Sequence, residues 1–416
     1  MKSLYFASHK IWPLNSGARL RDYQLAQQLA VRSSVTFVEM LPASEGHQDP
    51  PGDAVLADIV TLEKDETYSL SKIVKGLAGP VPLTVLNCWS PQSASQLADV
   101  LRFRQFDTVQ VEGVHLMEYL PIIQDAPGSP AIIVDWHNIE SEIMWRYAKT
   151  TRNWAKKIAA GRTAKLIERA EGRLLETCAT HTVTSERERR KLLARYPGAN
   201  IRVIPNGVDF GYYSGKGIAD ACSRSGQQES NPTILFVGSM DYHANIDAAI
   251  WFTRTVWPEI ARNHPGLQFT IVGRDPAPEV RALASDRIHV TGTVDDVRPF
   301  YASALAAIAP LRSGSGTRLK ILEAMAAGVP VVSTRLGAEG IEVEDGVHLL
   351  LADTGPEIAA AVHRIASSEE TRSRLSQAAR GLVRKVYDWS AIGNELCALH
   401  EDLVESRSVS SLCKVS

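Results

Sequence analysis

The sequence contains little cysteine and no long apolar run. Its 416 residues include five cysteines, which are far apart and never spaced as C-x-x-C. This usage indicates a reducing compartment and argues against a disulfide framework or a zinc site. No apolar run reaches the roughly 18 residues that a membrane-spanning helix requires, so no such helix is predicted.

The chain also lacks an excess of charge of either sign. Its formal net charge of −2 argues against a general nucleic-acid binder, because such a protein is normally basic over a whole domain. Residues 1–8 carry one lysine but no long apolar stretch, so they do not read as a secretory signal. They are predicted to form a first strand, and the cytoplasm is the expected location.

What the sequence does contain is two series of β-rich runs that alternate with helical patterns. This alternation is typical of parallel sheets covered by helices. The first series predicts a helix from about Ala18 to Val31 and strands at Ser3–Ser8, Ser34–Val38, Thr108–Glu112 and Ala131–Asp135. The second series predicts strands at Thr233–Gly238, Phe269–Val272, Ile288–Val290, Leu305–Ala309 and Val329–Ser333.

We therefore predict an α/β protein of two Rossmann-like domains that face each other across a cleft. The stretch 211–232 is rich in Gly, Ser and Gln without a sustained apolar period, so it is predicted to be the linker. The expected domains are 1–210 and 233–388. The C-terminal stretch 389–416 is expected to be a helix that packs back toward the first domain.

The most informative segment is 310–332, which reads as the end of a strand, a small-residue loop, a helix beginning near Thr317 and then another strand. Its glycines, Gly314 and Gly316, let a backbone approach a ligand closely. A helix start offers unpaired N–H groups and a partial positive charge, both of which favour phosphate.

Two cations stand at this helix start, where the helix dipole alone disfavours them. Arg318 and Lys320 fit this position better if an anion lies between them, and Glu323, about a turn further on, is expected to accept hydrogen bonds from ribose hydroxyls. The alternative is a Gly/Ser loop with two solvated basic residues. The spacing of the Arg, Lys and Glu favours a nucleotide site.

This segment resembles the donor-site helix of the retaining glycosyltransferases of family four (glycosyl transferases group 1). Other stretches resemble that family in the same order along the chain: Val183–Glu186, Pro205–Asp209, Leu235–Met240, Gly292–Asp296, Tyr301–Ala304 and Tyr387–Ser390. The resemblance covers nearly the whole chain and is strongest from Val183 to Trp389. It implies the GT-B fold, with the acceptor side in 1–210 and the nucleotide-sugar site in 233–388, and transfer of a sugar with retention of anomeric configuration.

The chain departs from the family pattern at two places. The family's donor motif usually has two glutamates, and here Ser315 stands in place of the first. After the first C-terminal strand, Ser239 and Ala244 stand where the family often has Arg and Lys. The pyrophosphate is therefore expected to depend on Arg318 and Lys320.

The resemblance also implies roles for residues outside the helix. The donor contacts are expected at Gly17, Ser239, Arg274, Val294, Gly314, Ser315, Gly316, Thr317 and Glu323. His137 leaves the strand Ala131–Asp135 among polar neighbours, and related transferases have a histidine there that contacts the sugar. With Arg318 and Lys320 it completes the expected catalytic set, and Glu112, at another strand exit, is a weaker candidate.

No cofactor or metal is expected, because Asp295 and Asp296 read as a turn and helix cap rather than as a metal site. The expected partners are a nucleotide-sugar donor, with UDP or GDP as the first choices, and a glycan, lipid-linked or small-molecule acceptor. No nucleic acid is expected.

The stretch 145–173 is basic and contains Trp145, Tyr147 and Trp154. Lys149, Arg152 and Lys156 are predicted to share one helical face. A second such face holds Arg162, Lys165, Arg169 and Arg173. Such a helix can lie on anionic lipid headgroups or hold an anionic acceptor, which predicts a peripheral membrane contact. A solvated charged surface is the alternative.

Two other functions fit the same residues. One is a different enzyme on this fold, either a nucleotide-sugar epimerase or a phosphorylase, although no cofactor lysine for a pyridoxal phosphorylase is identifiable. The other is a sugar-nucleotide sensor or partner subunit without activity, which the serine at position 315 keeps open.

Overall fold

The computed structural model of the chain describes residues 1–14, 16–42, 44–45, 56, 58–65, 69–151, 153–225, 232–314 and 316–412. The chain forms two compact units. Unit 1 consists of Met1–Pro205 and Ile392–Ser416, and unit 2 consists of Asn206–Ala391.

The strands are β1 Lys2–Phe6, β2 Ser34–Pro42, β3 Ile59–Lys64, β4 Thr108–Glu112, β5 Ala131–Trp136, β6 Thr180–Val183, β7 Ile201–Val203, β8 Thr233–Val237, β9 Gln268–Val272, β10 Ile288–Val290, β11 Ala304–Ala309, β12 Val331–Ser333 and β13 Leu350–Leu351.

The α-helices are α1 Gly17–Leu29, α2 Leu70–Ala78, α3 Leu83–Cys88, α4 Pro91–Phe103, α5 Leu120–Gln124, α6 Glu140–Thr150, α7 Trp154–Thr177, α8 Glu186–Leu193, α9 Phe210–Tyr213, α10 Lys216–Ser225, α11 His243–Trp251, α12 Trp257–Asn263, α13 Pro278–Arg281, α14 Arg298–Ser303, α15 Leu319–Ala327, α16 Gly355–Ser367, α17 Glu369–Leu382 and α18 Trp389–Leu412. A 3-10 helix spans Val114–Tyr119, and two π-helical segments span Phe252–Val256 and Val383–Tyr387.

Each unit is built on one parallel sheet, as the alternating pattern predicts. In unit 1 the strand order is β3-β2-β1-β4-β5-β6-β7, and in unit 2 it is β10-β9-β8-β11-β12-β13. All pairings between these strands are parallel. The nine strands predicted from the sequence are all present with small shifts of their ends, and β3, β6, β7 and β13 are additional.

The central strands are buried on both faces, which is why they read as continuous apolar runs in the sequence. All five residues of β4 are buried, including the polar Thr108 and Gln110. Helix α1 packs Leu25, Ala26 and Leu29 into unit 1. Burial of a Leu or Phe side chain contributes roughly 1.5–3 kcal/mol, so these cores supply most of the favourable free energy of folding.

The prediction that 211–232 is a linker is wrong for the residues of this stretch that the structure describes. Asp209 accepts a hydrogen bond from the Tyr212 N–H at 2.8 Å and so caps α9, and α10 follows directly. Both helices belong to unit 2, and the boundary between the units lies at Pro205 and Asn206. Residues 226–231 lie outside the described residues.

The C-terminal helix α18 belongs to unit 1 from Ile392 onward. Its His400 is fully buried, where Nδ1 lies 2.9 Å from Thr108 Oγ1 and Nε2 lies 3.0 Å from Gln110 Oε1. Burial lowers the pKa of His400 to about 3, so this histidine is neutral at physiological pH. Among the helices that the structure describes, none is both long and apolar enough to cross a membrane.

Candidate functional site

The strand order places one crevice in each unit. Ligands of open parallel sheets bind at the carboxyl ends of the strands, where the strand order reverses. In unit 1 this point lies between β1 and β4, and in unit 2 it lies between β8 and β11. Among the predicted residues, Glu112, His137 and Lys320 lie beside these points.

In unit 1, two histidines lie among carboxylates at this point. His9 follows β1, and its Nε2 lies 3.1 Å from Asp22 Oδ2. His137 follows β5, and its Nε2 lies 2.9 Å from Asp22 Oδ1 and 3.4 Å from Asp135 Oδ2. Glu112, the last residue of β4, lies 3.4 Å from His9 Nδ1 and 3.6 Å from His137 Nδ1. We call these five residues the histidine–carboxylate cluster.

The carboxylates keep both histidines positively charged. Burial alone would lower the pKa of His137, but the charges of Asp22, Asp135 and Glu112 raise it well above its usual value. The pKa of His9 is raised to about 10 in the same way, against the effect of burial, by Glu112 and Asp22. Burial would raise the pKa of Glu112, but the two histidines hold it well below its usual range.

The cluster is anchored by a buried arginine. Arg21 and Asp135 form a bidentate pair with distances of 2.8 and 3.0 Å, and Arg21 also donates to the carbonyl of Ile204 at 2.8 Å. Thr182 donates to Asp135 at 2.6 Å. Burial opposes ionisation of Asp135, but Arg21 keeps the pKa of that carboxyl far below its usual range.

The sequence identified His137 and Glu112 but missed His9, Asp22 and Arg21. His9 follows β1 just as His137 follows β5, so the same argument from strand exits applies to it. Asp22 and Arg21 lie within α1, and the sequence has no feature that separates them from other polar helix residues. Their burial depends on the tertiary packing of α1.

Gly17 is the first residue of α1, after the cap Ser16, whose side chain accepts from the Arg19 N–H. A Cβ at Gly17 would meet no atom within 4 Å. The space beside this helix start is therefore open. The role predicted for Gly17 on the sugar side remains a prediction.

In unit 2, the loop before α15 contains the two glycines of the predicted donor segment. Gly314 has φ +108° and Gly316 has φ +79°, which are conformations that L side chains rarely adopt. Helix α15 begins at Leu319 with Arg318 as its N-cap, two residues later than predicted. Arg318 is buried and donates to the Gly316 carbonyl. Ser315 lies outside the described residues.

Lys320 lies at the reversal point of unit 2. Its Nζ donates to Asn245 Oδ1 at 2.8 Å and lies 4.4 Å from the centre of the Phe236 ring. A Cβ at Gly238 would be 2.6 Å from this Nζ, so the glycine after β8 makes room for the ammonium group. Burial and the charge of Arg318 lower the pKa of Lys320 to about 7, against the effect of Glu323.

Glu323 already has partners within unit 2. Its Oε2 accepts from Tyr301 Oη at 2.9 Å, and Tyr213 also lies close enough to donate to it. Burial raises the pKa of Glu323, although the two tyrosines and Lys320 oppose that shift. The carboxylate that was predicted to face a ribose is therefore held by tyrosines in this structure.

The other predicted donor residues lie at several places in unit 2. Arg274 Nε donates to Ser239 Oγ at 3.0 Å, so these two residues share one loop cluster after β8 and β9. Thr317 Oγ1 accepts from Asn206 Nδ2 at 3.1 Å, which links the stretch Pro205–Asp209 to the predicted donor loop. Val294 is partly buried against the core of unit 2.

Of the two basic faces predicted from the sequence, the second, with Arg162, Lys165, Arg169 and Arg173, lies within α7, whereas the first does not form. Lys149 lies in α6 and Lys156 in α7, so they do not share a helix, and Arg152 lies outside the described residues. Arg162 donates to the carbonyls of Gly76 and Gly79 at 2.9 and 2.6 Å, so it is not a freely solvated charge.

Two groups of the described residues have the composition of metal ligands, His9 with Asp22 and Glu112, and His137 with Asp22 and Asp135. Protein donors already contact these carboxylates: Ser8 donates to Glu112 at 2.7 Å and Tyr5 to Asp22 at 2.8 Å. Asp296 was predicted to belong to a turn and helix cap; its carboxylate accepts from the Arg298 N–H at 2.9 Å and pairs with the guanidinium, but the N-cap of α14 is Val297.

A cavity of about 680 Å³ lies away from both reversal points. Arg189, Arg202, Glu395 and Asp402 contribute to its lining, between β7 and α18 of unit 1. None of the predicted site residues lines it. Volume alone therefore does not locate the site.

Comparison with known proteins places both units in one fold class. The structure of a sucrose-phosphate synthase from Thermosynechococcus elongatus aligns over 98% of this chain and 100% of the synthase chain, with a TM-score of 0.72 and 18% identity. An Anabaena protein crystallised in complex with UDP aligns over 97% of this chain and 100% of its own chain, with a TM-score of 0.64 and 14% identity. The fold is that of the GT-B glycosyltransferases.

The family follows from the sequence matches. The family model described as Glycosyltransferase Family 4 matches residues 23–211, and the one described as Glycosyl transferases group 1 matches residues 231–368. The resemblance to glycosyltransferase family 4 is thus confirmed in both halves of the chain, which is a member of this group of GT-B proteins.

Curated relatives are bacterial and match part of the chain. A phosphatidyl-myo-inositol mannosyltransferase of Mycobacterium tuberculosis is 28% identical over 221 residues, which are 50% of this chain and 56% of the relative. A glycogen synthase of the same species is 30% identical over 210 residues, 47% of each chain. The chain spans about half the length of the curated relatives that it matches.

Proposed function

We propose that this protein is a glycosyltransferase that moves a sugar from a nucleotide-sugar donor to a glycan, lipid-linked or small-molecule acceptor. The observation that carries the proposal is the pair Arg318 and Lys320, which are brought together at the start of α15 beside the reversal point of unit 2. Their buried positive charge suits a nucleoside diphosphate, which is the leaving group of the reaction.

The diphosphate needs positive groups most in the transition state, when negative charge develops on it. Arg318, Lys320 and the start of α15 supply them without a metal ion. Lys320 is held by Asn245 and by the Phe236 ring, so its ammonium group is oriented before a donor arrives. A bound dianion would also favour the protonated form of Lys320.

The donor is proposed to be a UDP- or GDP-sugar, and the Anabaena structure in complex with UDP supports the first of these. Retention of anomeric configuration follows the family resemblance. In that mechanism the acceptor attacks from the face that the phosphate leaves, and the departing phosphate takes the acceptor proton. His137 and Gly17 are proposed to orient the transferred sugar.

Thermal stabilisation of the full chain by UDP-, GDP-, ADP- and CMP-sugars tests the donor site. A ligand at about a hundred times its dissociation constant adds roughly 2.7 kcal/mol to the free energy of unfolding. We expect one nucleotide class to raise the Tm of the parent but not of Arg318→Ala/Lys320→Ala. Arg384→Ala/Lys385→Ala is the matched control, because it removes two exposed charges from the same unit.

Three outcomes would contradict the proposal in different ways. No stabilisation by any nucleotide would remove the donor site. Stabilisation without turnover against any acceptor would favour a sensor, and rearrangement of the donor without an acceptor would favour an epimerase. A second series with a chelator checks metal independence, since transfer should continue at the same rate.

A further inference from the structure

Helices α6 and α7 of unit 1 form a surface that the proposed reaction does not use. The two helices pack against each other. A Cβ at Gly161 in α7 would lie 3.6 Å from the ring of Trp145 in α6, so the two helices approach closely. We call residues 140–177 the basic hairpin.

The tip of the basic hairpin exposes large apolar side chains. Trp154 is 76% exposed, Ile158 is 64% exposed and Tyr147 is 46% exposed. Trp154 and Ile158 are four residues apart, so they lie on the same face of α7. Contact with an apolar phase would remove this exposed apolar area from water, which is favourable.

The part of the hairpin around its tip carries charge of one sign. Residues 143–167 contain seven Lys and Arg and no Asp or Glu. Lys149, Lys156, Lys157 and Lys165 are exposed, and no ion pair joins them to another described residue. Lys165 lies eleven residues after Trp154, close to the same face at 3.6 residues per turn.

Helix α2 adds a second apolar strip. Leu70 is 78% exposed and Val74 is 56% exposed, again four residues apart, and residues 69–78 contain two lysines and no acidic residue. The two hydrogen bonds from Arg162 to the carbonyls of Gly76 and Gly79 fix the end of α2 against α7. The strip is therefore held on the hairpin.

A cavity beside α6 extends the positive region. It has a volume of about 300 Å³, and its lining includes Arg146, Lys149, Lys191 and Arg195 with one acidic residue, Glu142. Burial opposes ionisation of Glu142, but hydrogen bonds from Arg187, Lys191 and Arg146 lower its pKa to about 2. The cavity lining therefore remains net positive.

We propose that the basic hairpin and α2 form a peripheral docking surface for a membrane that contains anionic lipid. Apolar side chains at the boundary of the acyl chains, surrounded by lysines at headgroup level, are the features of interfacial helices. Each Lys or Arg near an anionic surface adds to the attraction. A charged surface made only for solvation needs no exposed Trp and Ile pair.

Co-sedimentation of the full chain with vesicles tests this proposal. The probes are vesicles of phosphatidylcholine alone and of phosphatidylcholine with phosphatidylglycerol in equal parts, with no sugar nucleotide present. We expect binding to the anionic vesicles that weakens as salt is added. Because no donor is present, this outcome is independent of the proposed transferase activity.

Two pairs of variants separate charge from apolar contact. Lys156→Glu/Lys157→Glu should weaken the partition at least about 30-fold, since two attractive charges are lost and reversed. Trp154→Ala/Ile158→Ala should weaken it about tenfold or more, and should do so at high salt as well. The matched controls are Arg384→Glu/Lys385→Glu in unit 2 and Phe103→Ala, whose side chain is 80% exposed in unit 1.

All of these side chains are exposed, so the variants should keep the Tm of the parent, which is measured first. Parent-like binding by both hairpin variants would overturn the proposal, as would an equal loss in the controls. Binding to a soluble acidic polysaccharide but not to the anionic vesicles would show that the surface holds an anionic glycan instead.

Discussion

The two reversal points differ in how their charges are balanced. In unit 1, His9, His137 and Arg21 all contact carboxylates of the same unit. In unit 2, Lys320 donates to the neutral amide oxygen of Asn245, and Glu323 on the same helix accepts from tyrosines. The first site is neutralised by the protein itself, whereas the second holds cationic side chains that a bound anion would stabilise.

This difference separates two kinds of preorganisation. A buried pair costs desolvation energy but is rigid once formed, so the histidine–carboxylate cluster can hold a polar substrate group in one orientation. A buried lysine without a carboxylate partner is destabilising until its ligand binds. The four predictions that follow test this contrast, from the largest expected effect to the smallest.

Breaking the balance of unit 1 should cost the most stability. Asp135→Asn leaves the Arg21 guanidinium buried without its carboxylate, and we expect the free energy of unfolding to fall by about 3–5 kcal/mol. Chemical denaturation measures this. Asp58→Asn is the matched control, because Arg104 and Asp58 form an exposed pair with 46% of each side chain accessible, and such pairs contribute about 0–1 kcal/mol. Equal losses in the two variants would contradict the buried-pair argument.

Removing the charge of unit 2 should have opposite effects on activity and stability. Lys320→Met keeps the apolar stem and removes the ammonium group, so transfer should fall about 10²–10³-fold. The ligand-free protein should nevertheless unfold at a higher temperature than the parent at neutral pH, because a poorly compensated buried charge is gone. Transfer assays and thermal unfolding measure the two effects, with Lys385→Met as the exposed control. A lower Tm in Lys320→Met would refute the contrast between the units.

The histidine of unit 1 should affect the sugar step without affecting nucleotide binding. We expect His137→Ala to lower the transfer rate about 10²-fold, the size of effect that a misplaced reacting group produces. The stabilisation of this variant by the free nucleoside diphosphate should equal that of the parent. Full activity in His137→Ala would exclude the orienting role.

The pH dependence of stability should run in opposite directions in the two units. The pKa of Lys320 is lowered from 10.5 to about 7 in the folded state. The loss of stability caused by burying its charged ammonium group is therefore full below pH 7 and disappears as pH rises toward 10.5. The gain in Tm of Lys320→Met should therefore shrink over that interval.

For His9 the sign is reversed. Its pKa is raised from 6.5 to about 10, so its stabilising contribution is complete below pH 6.5 and is lost as pH rises to about 10. The loss of Tm in His9→Gln should be largest at pH 6.5 and small at pH 10. His289→Gln, at an exposed position of unit 2, is the control. A deficit that stays constant with pH would mean that His9 acts through packing alone.

The sequence alone was sufficient to predict the class of fold. The apolar pattern predicted nine strands, because buried parallel strands are continuous apolar runs. In the loop before α15, Gly314 and Gly316 stand at positions with positive φ. The sequence also identified Arg318, Lys320 and His137, since residues at helix starts and strand exits can be located along a chain.

Only the tertiary structure decided which side chains meet. Asp22 and Glu112 are far apart in the chain, yet both contact His137, and Lys320 in α15 donates to Asn245 in α11. In the structure, part of the predicted linker forms α9 and α10, and Glu323 has two tyrosine partners. Local patterns determine strands, helices and loops, whereas burial and long-range contacts set the charge state of each site residue. Those contacts depend on how helices pack onto the sheets, which no short stretch of sequence encodes.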